Sequence, residues 1–321
     1  MNSQISSKTN RIEYIDIAKG LGMIFVVIGH CINGKTFPGL WIWTFHMPLF
    51  FILSGICFSE NKYPQFLFFL KKRIQTLFLP CIYFSILVTV FTFILLDKTA
   101  FQSLTKNLPG VLWFVSVLFF TEILYYYILR LTPKKILRIF TLISLLLLGI
   151  WFCRKEIILP FSVSTIPIAT FYYGIGHSYK VLINKIASAH NSLLKISTSS
   201  LLLILPAIVT YHSKKSINMS TNYFSQPEFL YLFLSISGSL GIILLATFHW
   251  RYVKKLLLYI GRNTFIILSF HMLFIALSAH YIQPFINNGL IYKFIEQVVI
   301  WVSIFISINF INKKIAWILG K

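Results

Sequence analysis

The chain has 321 residues, 57% of them hydrophobic and only 12% charged, with 32 Phe, 16 Tyr and 7 Trp, and its mean hydropathy is +0.78. Soluble domains carry about 25% charged residues, so too few polar side chains remain to coat a water-facing surface, and a soluble globular enzyme is excluded. The net charge of +21 does not imply nucleic acid: Lys and Arg sit in short clusters between apolar runs, where they fix topology and meet anionic lipid headgroups.

Apolar runs of bilayer-spanning length fall at 17–34, 39–58, 77–96, 109–129, 136–153, 159–179, 198–211, 228–248, 264–282 and 290–311. The pattern predicts an all-α polytopic bundle of about ten transmembrane helices. With the N-terminus placed in the cytoplasm, 21 of the 29 Lys and Arg fall on the cytoplasmic side and 8 on the other. That bias fits ten spans with both termini inside. The first run has Asp16 and Lys19 before it and a histidine rather than a small-residue cleavage site at its end, so it is expected to stay as a span. Connections are short and no internal repeat is evident, so 1–321 reads as a single membrane domain. Cys31, Cys57, Cys81 and Cys153 stand singly. They read as packing residues, and no metal is expected.

Ionisable residues within spans are expensive in hydrocarbon and are site candidates by default. Span one, "EYIDIAKGLGMIFVVIGH", carries Asp16, Lys19 and His30. Lys19 and His30 are eleven residues apart, about three helical turns plus 20° and roughly 16 Å of rise, which puts them on one face. Such a line suits an extended anionic molecule entering from the cytoplasm with its reactive end at the histidine. Asp16 and Lys19 also read simply as an interfacial i, i+3 ion pair. In span two, "FHMPLFFILSG", Pro48 removes a backbone donor and opens a notch beside His46, while Ser54 and Gly55 allow close helix packing. His46 reads equally as a histidine at the interface above a structural kink or as a neighbour of His30.

A neutral imidazole serves as general base or acyl-accepting nucleophile near pH 7. No Gly-x-Ser-x-Gly elbow, His-Glu-x-x-His pair or phosphate-binding Gly loop accompanies these histidines. Further along, Lys71, Lys72 and Arg73 suit a phosphate clamp as well as a topology marker. Glu122 lies within "LWFVSVLFFTEILYYY", which also holds Trp113, and is unpaired unless a basic residue of another span reaches it. Asn263 and Thr264 are candidate N-caps for span nine, which buries His271. The remaining histidines, His177, His190, His212, His249 and His280, read as interfacial.

The segments "YIDIAKGLGMIFVVIGH", "FHMPLFFILSG", "KKRIQTLFLP", "GVLWFVSVLFFTEI", "PIATFYYGIGHSYK" and "IGRNTFIILSFHML" together resemble the acyltransferase-3 family of integral-membrane acyltransferases, especially its fucose 4-O-acetylase-like branch. The resemblance spans almost the whole chain. It implies transfer of an acyl group, commonly acetyl from cytoplasmic acetyl-CoA, to a hydroxyl of a carbohydrate or lipid-linked glycan at a bacterial cytoplasmic membrane. The family's basic residue and histidine map to Lys19 and His30, with lysine here in place of the more usual arginine and its bidentate fork. Its second basic motif maps to Arg73 and Thr76, so one of two charges is missing, and Lys71 or Lys72 is the substitute.

The expected catalytic set is therefore His30, Lys19, His46 and Glu122. Lys19, Lys71, Lys72 and Arg73 are expected to hold acyl-CoA, with Asp16, Trp113, Asn263 and His271 around the substrate. A secondary transporter or flippase for a glycan precursor would also bury His, Glu and Lys, but only one span here is both proline-broken and histidine-bearing. A non-catalytic scaffold would not need Lys19 and His30 on one face.

Overall fold

The computed structural model describes residues 12–32, 34, 36–96, 112–189 and 192–320. The charge markers Lys8, Arg11, Lys35, Lys98, Lys106 and Lys321, together with His190, lie outside the described residues. Helix is imposed by the solvent: in hydrocarbon every backbone N–H and C=O must find its partner within the protein. In chain order the helices are α1 (Glu13–Cys31), α2 (Phe37–Cys57), α3 (Phe66–Leu95), α4 (Trp113–Leu131), α5 (Lys135–Arg154), α6 (Ile166–Ser188), α7 (Ser192–Ser213), α8 (Glu228–Ala246), α9 (Lys254–Arg262), α10 (Thr264–Tyr281) and α11 (Gly289–Lys314).

Nine of these are long and apolar enough to cross a membrane among the described residues: α1 to α5, α7, α8, α10 and α11. The run expected at 159–179 instead forms a 3-10 turn, Pro160–Thr165, followed by α6. With 23 residues α6 matches the others in length, but it carries His177, Lys180 and Lys185. The bundle tolerates this because α6 lies inside, with Ile168, Ala169, Tyr172 and Tyr173 fully enclosed. At the centre is α2, whose span is 78% buried, whereas α7 is 17% buried and turns Leu201, Ile204 and Ile208 outward, as lipid-facing helices do.

Two close approaches of backbone to backbone set the inner geometry. A Cβ at Gly55 of α2 would meet the Tyr173 carbonyl of α6, and one at Gly176 of α6 would meet the Ile52 carbonyl of α2. The packing role expected of Gly55 is thus reciprocated by Gly176. In the same way Gly20 of α1 faces the Leu257 carbonyl of α9, and Gly261 of α9 faces the Asp16 carbonyl. Small residues at such crossings allow the helices to pack closely where no hydrophobic force drives them together.

Helix α1 is pinned at both ends. At its start Asp16 pairs with Arg262, Nε to Oδ2 at 3.2 Å, beside α9; near its end the Trp43 indole donates to the Gly29 carbonyl at 3.2 Å. At the far terminus Lys293 Nζ donates to the Cys31 carbonyl, a cation at the negative end of the helix dipole. Helix α2 runs through Pro48 without a break.

Replacing Gly176 with Val should force α2 and α6 apart at a cost of about 1–3 kcal/mol. A lower apparent Tm of the detergent-purified protein would register this. Gly289→Ala, where an added Cβ meets nothing within 4 Å, should leave that Tm unchanged.

Candidate functional site

Along one face of α1 the residues Lys19, Met23, Val26 and His30 follow one another at helical spacing, and they line two successive cavities. The inner cavity, about 330 Å³, takes Lys19 and Met23 from α1, Phe50 and Ser54 from α2, Arg73 from α3 and Glu122 from α4. The outer one, about 90 Å³, takes Val26 and His30 from α1, Trp43 and His46 from α2 and Trp113 from α4. Met47 and Leu268 line both, so the two side chains form the partition between them. Lys19 and His30 thus share the face that their spacing requires, one in each chamber.

Glu122 is buried in the inner chamber wall, and its partner is Arg73: Nε stands 2.7 Å from Oε2. Tyr173 donates to the other carboxylate oxygen at 3.5 Å. The guanidinium lies over the rings of Tyr63 and Phe69, 5.2 Å from each centroid, a contact that favours arginine over lysine. Arg73 reaches inward where α3 widens into a π-helical stretch, Ile74–Phe78, in which the Leu79 N–H donates to the Ile74 carbonyl five residues back. Pro80 follows and cannot supply the N–H that an α-turn would give the Thr76 carbonyl. Such π-turns recur at functional sites. Lys71 and Lys72, on the same helix, are exposed and do not line the chamber, whereas Lys62 does.

Two imidazoles, His30 and His46, line the outer chamber, and a third, His271, is buried against His30 outside the lining. The His30 ring lies 5.2 Å from that of His271 and 5.9 Å from Trp43, and His46 lies 6.4 Å from Trp43. His46 donates from Nδ1 to the Ile42 carbonyl at 2.9 Å. His271 Nδ1 faces the carbonyls of Ile267 and Leu268 at 3.1 and 3.0 Å. A carbonyl only accepts, so Nδ1 carries the proton in both rings and the Nε2 lone pair is left available. His271 Nε2 is buried with no hydrogen-bond partner among the described residues. No group of three or more His, Cys, Asp or Glu among the described residues is arranged to hold a metal ion.

Other expected residues fall outside the chambers. Asp16 engages Arg262 rather than forming only a local pair with Lys19. Asn263 precedes α10 but does not cap it: its amide donates to the Tyr259 carbonyl and its oxygen accepts from Asn312 on α11, each at 2.8 Å. His177, expected at the interface, is buried instead, because α6 extends well past the predicted end of its span. Its Nδ1 meets the Tyr125 hydroxyl at 2.9 Å and its ring packs on Phe58.

Sequence reasoning passed over Lys62, Tyr63, Trp43, Tyr173, Asn218 and Ser220. Trp43 stands one turn before His46, a spacing that could have marked it. Tyr173 lies inside the quoted "PIATFYYGIGHSYK" segment.

The chain matches the acyltransferase-3 family, an acyltransferase domain, over residues 12–311. It belongs to that family and is a multi-pass membrane acyltransferase. No curated protein and no solved structure matches it.

The ion pair yields a test. Arg73→Met leaves the Glu122 carboxylate buried without its cation and should lower stability by about 3 kcal/mol. The double variant Arg73→Met/Glu122→Leu should recover most of that loss, read as apparent Tm in detergent.

Proposed function

We propose that the protein moves an acetyl group from cytoplasmic acetyl-CoA to a hydroxyl of a cell-envelope carbohydrate, across a bacterial cytoplasmic membrane in which both termini face inward. The observation that carries this reading is the pair of chambers on one face of α1, cationic on the inner side and histidine-lined on the outer, divided by Met47 and Leu268.

Acyl-CoA brings phosphates, and the inner chamber offers Lys19, Lys62 and Arg73. Arg73 is already engaged by Glu122. Lys19 and Lys62 form no salt bridge among the described residues, which suits them to phosphate contacts. Glu122 holds Arg73 in place and is neutralised by it, so its part is positional. The slender arm of the donor then carries the thioester toward the partition, where Met47, an unbranched thioether with three rotatable bonds, can yield.

At His30 the chemistry is general-base acyl transfer. The imidazole takes the proton of the acceptor hydroxyl as its oxygen attacks the thioester carbonyl. The tetrahedral adduct collapses by breaking the C–S bond, the imidazolium proton goes to the departing thiolate, and an ester and CoA-SH remain. His46 and His271 stand close enough to shape this site. The outer chamber also favours a short acyl group: at about 90 Å³ it is smaller than a cavity of about 150 Å³ that takes benzene. Family membership supports acyl transfer over the transporter reading.

With the full-length protein in nanodiscs, acyl-labelled acetyl-CoA and envelope saccharide, His30→Ala should lower transfer by about 10²–10⁴-fold while donor binding persists. Full activity of a correctly inserted His30→Ala protein overturns the assignment. Lys19→Gln should raise the KM for acetyl-CoA about tenfold, the loss of one charge-assisted contact.

A further inference from the structure

The connection between α7 and α8, "KKSINMSTNYFSQP", is too polar to be expected inside a membrane protein, yet it folds back into the bundle. Ile217 and Phe224 pair as antiparallel strands, as do Asn218 and Tyr223. Ile217, Met219, Asn222, Phe224 and Ser225 are all buried. Hydrogen bonds fasten the hairpin to its surroundings: Thr165 Oγ1 donates to the Met219 carbonyl at 2.6 Å, Ser162 Oγ to the Ser220 carbonyl at 2.7 Å, Asn222 Nδ2 to the Gly149 carbonyl at 2.9 Å, and the Phe224 N–H to the Cys153 Sγ at 3.3 Å. The strap that grips it is itself bent to do so, with Phe161 and Ser162 at φ 57°, a conformation costly for residues other than glycine.

Four successive hairpin residues, Ile217 to Ser220, line the outer chamber. They alternate: Ile217 and Met219 are buried, while Asn218 and Ser220 are partly exposed, as are His30, Trp43 and Trp113. The enclosed lining is apolar apart from His46, and the rim is made of His30, two indoles, an amide and a hydroxyl. Asn218 Oδ1 accepts from the Ser220 N–H at 3.2 Å and from its Oγ at 2.7 Å. This fixes the amide so that Nδ2, which has no partner among the described residues, is left to donate, and the Ser220 oxygen is left to accept.

We propose that the 217–224 hairpin is the acceptor-binding element of the enzyme. Asn218 Nδ2 donates to one hydroxyl oxygen of a pyranose, Ser220 Oγ accepts from a neighbouring hydroxyl, and Trp43 and Trp113 present aromatic surface to its C–H faces. The ring itself stays at the rim, because a chamber of about 90 Å³ admits a single hydroxyl beside the acyl group rather than a whole sugar. The hairpin thereby selects which hydroxyl points at His30. This inference rests on the acyl-transfer reading and adds to it the element that chooses the acceptor.

The experiment uses the full-length protein in nanodiscs, acyl-labelled acetyl-CoA, and host envelope saccharide freed of its esters by mild alkali. The wild type should transfer label to saccharide. Asn218→Ala combined with Ser220→Ala should raise the KM for saccharide tenfold or more and shift the KM for acetyl-CoA less than twofold. A second arm needs no kinetic constants: Ser220→Cys in intact cells should react with a membrane-impermeant maleimide, and the modified protein should bind labelled acetyl-CoA but no longer transfer its acyl group.

If the wild type transfers nothing, the acyl-transfer reading fails and takes this one with it. If the wild type is active and the double variant keeps its saccharide KM, or both KM values rise together, the hairpin assignment alone falls. It falls too if the cysteine is unreachable from outside, or if its modification leaves transfer intact.

Discussion

A carboxylate held at membrane depth needs a cation to answer it, and in this bundle Glu122 is answered by Arg73. Much of the inner architecture follows from that pairing. For Arg73 to reach α4 from α3, its helix widens into the π-turn ahead of Pro80. Tyr63 and Phe69 pack against the guanidinium from one side and leave it at the chamber wall. Tyr173 completes the carboxylate from α6, and α6 can approach only because Gly176 and Gly55 let its backbone touch that of α2. Four helices are thereby committed to one electrostatic requirement, and the space left between them is the inner chamber.

Helix α1 supplies the second organising element. It is held at its start by the Asp16–Arg262 pair and the glycine contacts with α9, and near its end by Trp43 and Lys293. A helix fixed at both ends acts as a ruler, so the separation of Lys19 from His30 is set by helical rise alone. If Lys19 meets the donor's phosphates and His30 its thioester, as proposed, the two ends of the donor are spaced in the same way, by covalent length.

The features legible in the sequence are those governed by local periodicity. The existence and order of the apolar helices, the common face of Lys19 and His30, and the small-residue contact at Gly55 all follow from 3.6 residues per turn and the polarity of the solvent. The features that were not legible depend on which neighbour arrives at that face. Glu122 could be recognised as needing a cation, but nothing in its own helix named Arg73. Lys71, Lys72 and Arg73 read as one cluster, yet helical rotation turns only Arg73 inward. Asn263 had the residue type and position of a cap, and a tertiary partner, Asn312, claimed its side chain. The hairpin at 217–224 was least visible of all, since a polar connection normally lies in the headgroups and this one is drawn inward by contacts with residues 149 to 165.

The partition of Met47 and Leu268 also bears on the membrane's insulation. On the proposed reading, in which donor and acceptor arrive from opposite faces, the two chambers would take up much of the hydrocarbon thickness along α1, and the layer left between them would be the pair Met47 and Leu268. Charge crossing a membrane gains or loses about 2.3 kcal/mol per 100 mV, and that drop is focused where the low-dielectric layer is thinnest. On that reading, the apolar character of a thioether and an isobutyl group at this one level is what would keep a bundle with two opposed chambers electrically closed.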